Sequence, residues 1–136
     1  MISVFFYGLF MDKDLLIEKG FHPTEPVLGY ADNYELKIGK RAMLVKAQGE
    51  RAYGTVMSLE KAELDSLYKE PGVTDYAPED IVFTTLENET LNVVVYNISP
   101  ENYKGRNKQY AQRLATTATA LSLPTEYVQK IEAFAK

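Results

Sequence analysis

Cysteine is absent from this chain, which excludes disulfides, thiolate metal sites and a cysteine nucleophile. Histidine occurs once, at His22, so an imidazole-based zinc site lacks ligands and a Ser-His-Asp triad would have to use that one ring. Basic excess is missing too. Fifteen Lys and Arg stand against nineteen Asp and Glu, a net charge of -4. A sequence-blind nucleic-acid binder needs a basic face to displace counterions, so that class is disfavoured. No apolar run approaches the roughly 18 residues of a membrane span. The run Ile2 to Phe6 is too short for a signal peptide, has no basic residue before it and is soon followed by Asp12 and Asp14. The expectation is a cytoplasmic protein with neither a membrane nor a nucleic-acid partner.

What remains is the composition of an ordinary globular protein, 46% hydrophobic and 25% charged, over 136 residues. That length suits one domain, 1–136, with one core. Ile2 to Tyr7 is β-branched and aromatic and reads as a strand ended by Gly8. Asp12 or Lys13 opens a short helix stopped by Gly20. Val27 to Ile38 is a second strand with an interruption at Asp32-Asn33, and Ala42 to Val45 a third. Gln48-Gly49-Glu50 reads as a hairpin turn into a fourth, Arg51 to Leu59. Gly54 inside it signals a bulge or a close approach of another group.

Ser58 is a candidate cap for a helix running to about Tyr68 and stopped by Pro71-Gly72. Ile81 to Leu86 and Leu91 to Ile98 read as a hairpin across Glu87-Asn88-Glu89, with Val93-Val94-Val95 apolar on both faces and therefore central. From Arg106 the period becomes helical, with Ala111, Leu114, Ala118 and Leu121 on one face. Pro124 opens a last helix with the stripe Tyr127, Val128, Ile131 and Phe134. Six strands before two late helices make the class α+β, with a small barrel or strongly curled sheet expected.

Three features could carry chemistry. The Tyr7-Gly8-Leu9-Phe10-Met11 turn could direct backbone N–H groups toward one point and hold a carboxylate or phosphate, although on pattern alone a plain turn into a helix is the simpler reading. Glu70 follows a helix end, where the dipole disfavours a carboxylate. If partly buried it would have a raised pKa suited to proton transfer, while an exposed surface Glu is the simpler reading. Glu79 is a weaker candidate acid. The ten tyrosines suit pockets and interfaces, though most are expected to be half-buried packing residues.

In order along the chain, Tyr7-Gly8-Leu9-Phe10-Met11 with Leu15-Leu16, Leu28-Gly29-Tyr30, Arg41 to Val45, Gly49, Tyr53-Gly54-Thr55-Val56 and Leu123 to Val128 resemble the γ-glutamylcyclotransferase-like, or AIG2-like, family. The resemblance implies a mixed β-barrel with peripheral helices. It also implies a transferase-type reaction needing no metal or cofactor, in which the α-amine of a γ-glutamyl group attacks its own γ-carbonyl to give 5-oxoproline. By that resemblance Glu70 is the acid and base, and Tyr7, Gly8, Leu9, Phe10 and Tyr76 bind a small γ-glutamyl substrate. The family's Leu-Asp-x-x-Glu-Gly pattern is shifted here. Counting from Leu64-Asp65 puts Tyr68 at the acid's place, and Glu70 comes two residues later. Counting back from Tyr76 favours Glu70. If Tyr68 replaces the acid, the fold binds a small molecule or a partner without catalysis. Leu9-Phe10 replaces a more polar pair, which points to a different substrate preference. The oligomeric state is not legible.

Overall fold

The computed structural model describes residues 1–71, 73–99 and 105–136. Five strands close into a barrel in the order β1-β3-β2-β4-β5. They are β1 (Ile2–Phe6), β2 (Val27–Ile38), β3 (Ala42–Leu59), β4 (Ala77–Thr85) and β5 (Thr90–Asn97). All neighbours are antiparallel except β1 and β5, which close the barrel in parallel through Val4↔Val94 and Phe5↔Val95. Among the described residues four α-helices accompany it: α1 (Lys13–Glu18), α2 (Lys61–Leu67), α3 (Lys108–Ala120) and α4 (Thr125–Ala133). The α+β class and the mixed barrel expected from sequence are both present.

Among the described residues the strands number five, not six, because Gln48-Gly49-Glu50 is not a hairpin turn. β3 runs through it as one strand of 18 residues. Gly49 has a positive φ of 84°, and its N–H donates to Asn33 Oδ1 at 3.1 Å. Asn33, itself at φ 67°, marks the facing irregularity, where the register passes from Asp32↔Arg51 to Tyr34↔Lys46. The turn chemistry at Gly49 is therefore spent on bending a strand rather than reversing it. The reversal lies at Gly39-Lys40-Arg41, where the Gly39 N–H donates to the Arg41 carbonyl at 3.0 Å.

Gly54 answers to close approach. It pairs with Gly29 across β2 and β3. A Cβ on Gly54 would lie 2.2 Å from the Phe6 carbonyl oxygen, and one on Gly29 would lie 2.2 Å from that of Thr84. Two bare backbones let β1 and β4 coil tightly onto the central hairpin. Phe5 and Phe83 then meet inside at a ring separation of 5.3 Å.

The helices follow their caps and stripes. The Asp12 side chain accepts the Asp14 N–H at 3.0 Å and starts α1. Ser58 does not cap α2. It lies within β3, its hydroxyl paired with Ser3, and Glu60 is the N-cap residue without a side-chain bond. Strand pairing with β1 holds Ser58 extended, and the helix starts after it. α2 buries Leu64 and Leu67 and ends at Tyr68, before Pro71; Gly72 lies outside the described residues. Asn107 caps α3 by accepting the Tyr110 N–H at 2.9 Å. Ala111, Leu114 and Ala118 of α3 and Tyr127, Val128 and Ile131 of α4 are buried. Leu121 and Phe134, the outer ends of the two stripes, are half-buried. Pro124 stands just ahead of α4 as its N-cap. Among the described residues no helix is long and apolar enough to cross a membrane.

Candidate functional site

β1 ends at Phe6, and the chain turns at Tyr7-Gly8 into a 3-10 turn, Leu9–Met11. This turn is clamped from several sides. The Met11 N–H returns to the Gly8 carbonyl at 3.0 Å. The buried Thr55 hydroxyl donates to the Met11 carbonyl at 3.0 Å. The Leu9 N–H donates to the Tyr110 hydroxyl on α3 at 3.3 Å. Gly8 is needed here for space, since a Cβ would lie 2.6 Å from that same hydroxyl. No described residue accepts from the N–H groups of Gly8 and Phe10.

The turn forms one wall of a cavity of about 240 Å³. Tyr7, Gly8, Leu9, Phe10, Glu70 and Tyr76, separated by up to 69 positions, all line it. Glu70 is the sole carboxylate among the described lining residues. A short turn closed by the Val73 N–H on the Glu70 carbonyl, at 3.2 Å, holds it beyond the end of α2. Its side chain is 34% exposed, and Oε1 accepts from Lys19 Nζ at 2.7 Å. The ammonium of Lys19 also lies 5.8 Å from the Phe10 ring, tying the end of α1 to both walls.

Tyr68 does not displace Glu70; both line the cavity. The Tyr68 ring stacks on Tyr96 at 3.9 Å and 7° and meets Phe10 edge-on at 6.1 Å. Glu79 is exposed on β4 and does not line the cavity, which removes it as an acid for this site. His22 is exposed, and its ring Nδ1 lies 3.0 Å from Glu63 Oε2, away from the cavity lining.

The tyrosines are more concentrated than the sequence indicated, for Tyr7, Tyr68, Tyr76, Tyr96 and Tyr110 share this one cavity. Two of the hydroxyls are committed to the frame. Tyr7 donates to the Tyr96 carbonyl at 2.8 Å, and Tyr76 donates to the Ala42 carbonyl. Tyr110 differs: its oxygen receives the Leu9 N–H, and no described residue accepts its own proton. Nothing singled out Tyr110, Lys19 or Arg113 in the sequence, and Arg41 entered only as the start of the Arg41 to Val45 segment, with no role in a site. A Tyr110, Leu114, Ala118 spacing does put Tyr110 on the buried face of α3, a legible hint of burial but not of a cavity.

Burial raises the pKa of Tyr7, Tyr68, Tyr76 and Tyr110 above the ordinary value near 10, with nearby phenols adding to it at the first three. All four are therefore neutral donors at physiological pH. Their folded pKa values exceed the unfolded value, so their contribution to stability is intact below about pH 10 and is lost as pH rises from there. An alkaline titration is expected to show tyrosinate absorbance from these residues appearing together with loss of the far-ultraviolet circular dichroism. Ionisation of all ten tyrosines with the fold intact would contradict the buried cluster.

Residues 51–131, from the second half of β3 to α4, match the AIG2-like family model. That span contains Glu70 and Tyr76 but not the Tyr7 turn. The chain is 26% identical over 95 residues to a gamma-glutamylcyclotransferase of Bos taurus, covering 68% of this chain and 50% of that protein, so it spans about half the length of this curated relative. Among solved structures, a gamma-glutamyl cyclotransferase superposes with a TM-score of 0.79 at 19% identity, covering 97% of this chain and 86% of that one. An uncharacterised protein from Homo sapiens gives 0.77 at 20% identity, over 97% and 86% of the two chains. YkqA from Bacillus subtilis gives 0.79 at 19% identity, over 98% of this chain and 54% of its own. At these identities the structures speak for the fold alone, and the family model, matched over more than half of the chain, decides membership: the chain belongs to the AIG2-like family.

Proposed function

We propose that the chain is a γ-glutamyl cyclotransferase that converts a γ-glutamyl amine or peptide to 5-oxoproline and a free amine or amino acid. The observation that carries this reading is the meeting of Glu70, the sole carboxylate among the described lining residues, with the Tyr7–Phe10 turn in one small cavity. Its volume, about 240 Å³, lies just below the usual range of ligand sites, which begins near 300 Å³, and suits a small metabolite. The name of the Bos taurus relative supports the same chemistry.

In this reading the N–H groups of Gly8 and Phe10 hold the glutamyl α-carboxylate. Glu70 takes a proton from the substrate's ammonium, and the freed amine attacks the γ-carbonyl within the same molecule. The new C–N bond closes a five-membered ring and gives a tetrahedral centre. Glu70 then returns the proton to the departing nitrogen as the old C–N bond breaks, the ring nitrogen gives up its second proton to water, and 5-oxoproline leaves with the amine. The nucleophile is tethered to its electrophile, so holding the chain in the ring-closing conformation supplies much of the acceleration. One carboxylate performs both proton transfers.

A second reading, a binding protein without catalysis, is favoured by one observation. Lys19 already occupies the Glu70 carboxylate at 2.7 Å, where a substrate ammonium would have to compete. Incubation with γ-glutamyl-alanine and with γ-glutamyl-lysine decides between the two. Time-dependent release of 5-oxoproline, measured by chromatography, is expected. Binding of these compounds without release would establish the second reading.

A further inference from the structure

Two arginines line the cavity and take no part in the steps above. Arg41 lies in the β2–β3 turn and Arg113 on α3. Both guanidinium groups act on one hydroxyl. Burial raises the pKa of Tyr110, and Arg41 and Arg113 each oppose that rise, so both charges lie within electrostatic reach of its oxygen. Arg41 acts on Tyr76 in the same sense. Asn107 helps bring the two elements together, its Nδ2 donating to the Lys40 carbonyl at 3.1 Å and fastening the turn to the start of α3.

Neither arginine has an ion-pair partner among the described residues. The described ion pairs employ Lys13, Lys19, Lys37, Arg51, Lys61 and Lys130 as cations. Among the described lining residues, three cations, Lys19, Arg41 and Arg113, therefore stand against the one carboxylate of Glu70. This excess of two positive charges sits in a chain whose net charge is -4, so it is a local property of the cavity and not of the surface at large.

A γ-glutamyl group is zwitterionic. Its ammonium is matched by Glu70 and its α-carboxylate by the turn, so it neutralises neither arginine. A planar guanidinium pairs best with a carboxylate, through two parallel N–H donors, and it gains most where water is partly excluded. We infer that Arg41 and Arg113 form an anion subsite for the leaving half of the substrate, and that the preferred substrate is a γ-glutamyl amino acid whose leaving residue is itself acidic, offering two carboxylates to two guanidinium groups. This inference rests on the cyclotransferase reading and names the substrate class of the same site. The glutamyl-binding turn and Glu70 act on every γ-glutamyl compound alike, whereas the arginines discriminate among leaving groups.

The test compares γ-glutamyl-glutamate, γ-glutamyl-alanine and γ-glutamyl-alaninamide, whose leaving halves carry two, one and no carboxylates. The kcat/KM is expected to fall in that order, through KM, by about tenfold for each carboxylate removed, the worth of one charge-assisted hydrogen bond. In Arg41→Met and Arg113→Met the preference for γ-glutamyl-glutamate over the amide is expected to shrink by about tenfold each. Arg→Lys, which keeps the charge but not the paired donors, should shrink it less. Equal kcat/KM for the three compounds overturns the inference. So does a fall of the same size for all three in the Met variants, because the arginines would then be holding the glutamyl α-carboxylate. If no compound yields 5-oxoproline, the cyclotransferase reading fails separately, and calorimetric binding of the same three compounds still tests the subsite. Tighter binding of γ-glutamyl-glutamate, abolished in the Met variants, supports it, and equal or absent binding refutes it.

Discussion

The Glu70→Gln protein is expected to fold like the native chain and to release 5-oxoproline from γ-glutamyl substrates at least about 10²–10⁴-fold more slowly, the usual worth of a general acid–base group. Glutamine keeps the shape of the side chain, and its amide oxygen still accepts from Lys19. The ion pair it loses is partly exposed, with Lys19 at 29% and Glu70 at 34%, so its removal costs stability by only about 0–1 kcal/mol. Thermal unfolding therefore serves as a control for the kinetic measurement. A large loss of activity at an unchanged Tm places the effect on the chemical step. Full activity in the variant would remove Glu70 from proton transfer. No other carboxylate among the described lining residues could take its place, so a different mechanism would then be required.

Gly54→Ala is expected to destabilise the barrel by about 2–4 kcal/mol, read as a lower denaturant midpoint at unchanged slope. The added methyl would begin 2.2 Å from the Phe6 carbonyl oxygen and 2.9 Å from the Phe5 ring. The first of these is backbone, which cannot rotate away, so β1 must move off β3. That movement would also carry the Tyr7–Phe10 turn, which follows β1 directly, and so should raise KM for any ligand of the cavity. Gly49 in the same strand provides the contrast. Nothing lies within 4 Å of its Cβ position, but its φ is 84°. Gly49→Ala should therefore cost about 1–2 kcal/mol from backbone strain alone, with little effect on the cavity. Equal losses at the two glycines would refute the steric account of Gly54.

The two glycines show how much of the fold was legible in the chain. Local chemistry pointed to a hairpin turn at Gly49 and offered two meanings at Gly54, a bulge or a close approach. Only pairing partners decide. Asn33 opposite Gly49 makes a bend, and Phe6 against Gly54 makes a close approach. The same limit misplaced the α2 cap. Ser58 has a capping side chain, but its pairing with Ser3 keeps it in the strand.

For the site, the residues themselves determined the elements: a β-branched and aromatic first strand ended by glycine, the bounds of β2, two amphipathic late helices and a carboxylate just beyond α2. Those follow from short-range periodicity and capping, which act over a few residues. The Tyr7-Gly8 turn and Glu70 were candidates one at a time, each with a bland alternative. Barrel closure, through the β1–β5 pairing, is what gathers the tyrosines, the turn, Glu70 and the two arginines around one cavity. That closure depends on pairing between residues about ninety positions apart, whose spacing no local pattern encodes. Tertiary structure alone therefore decided that Glu70 and the turn share a cavity, and that its described lining is cationic in an acidic chain.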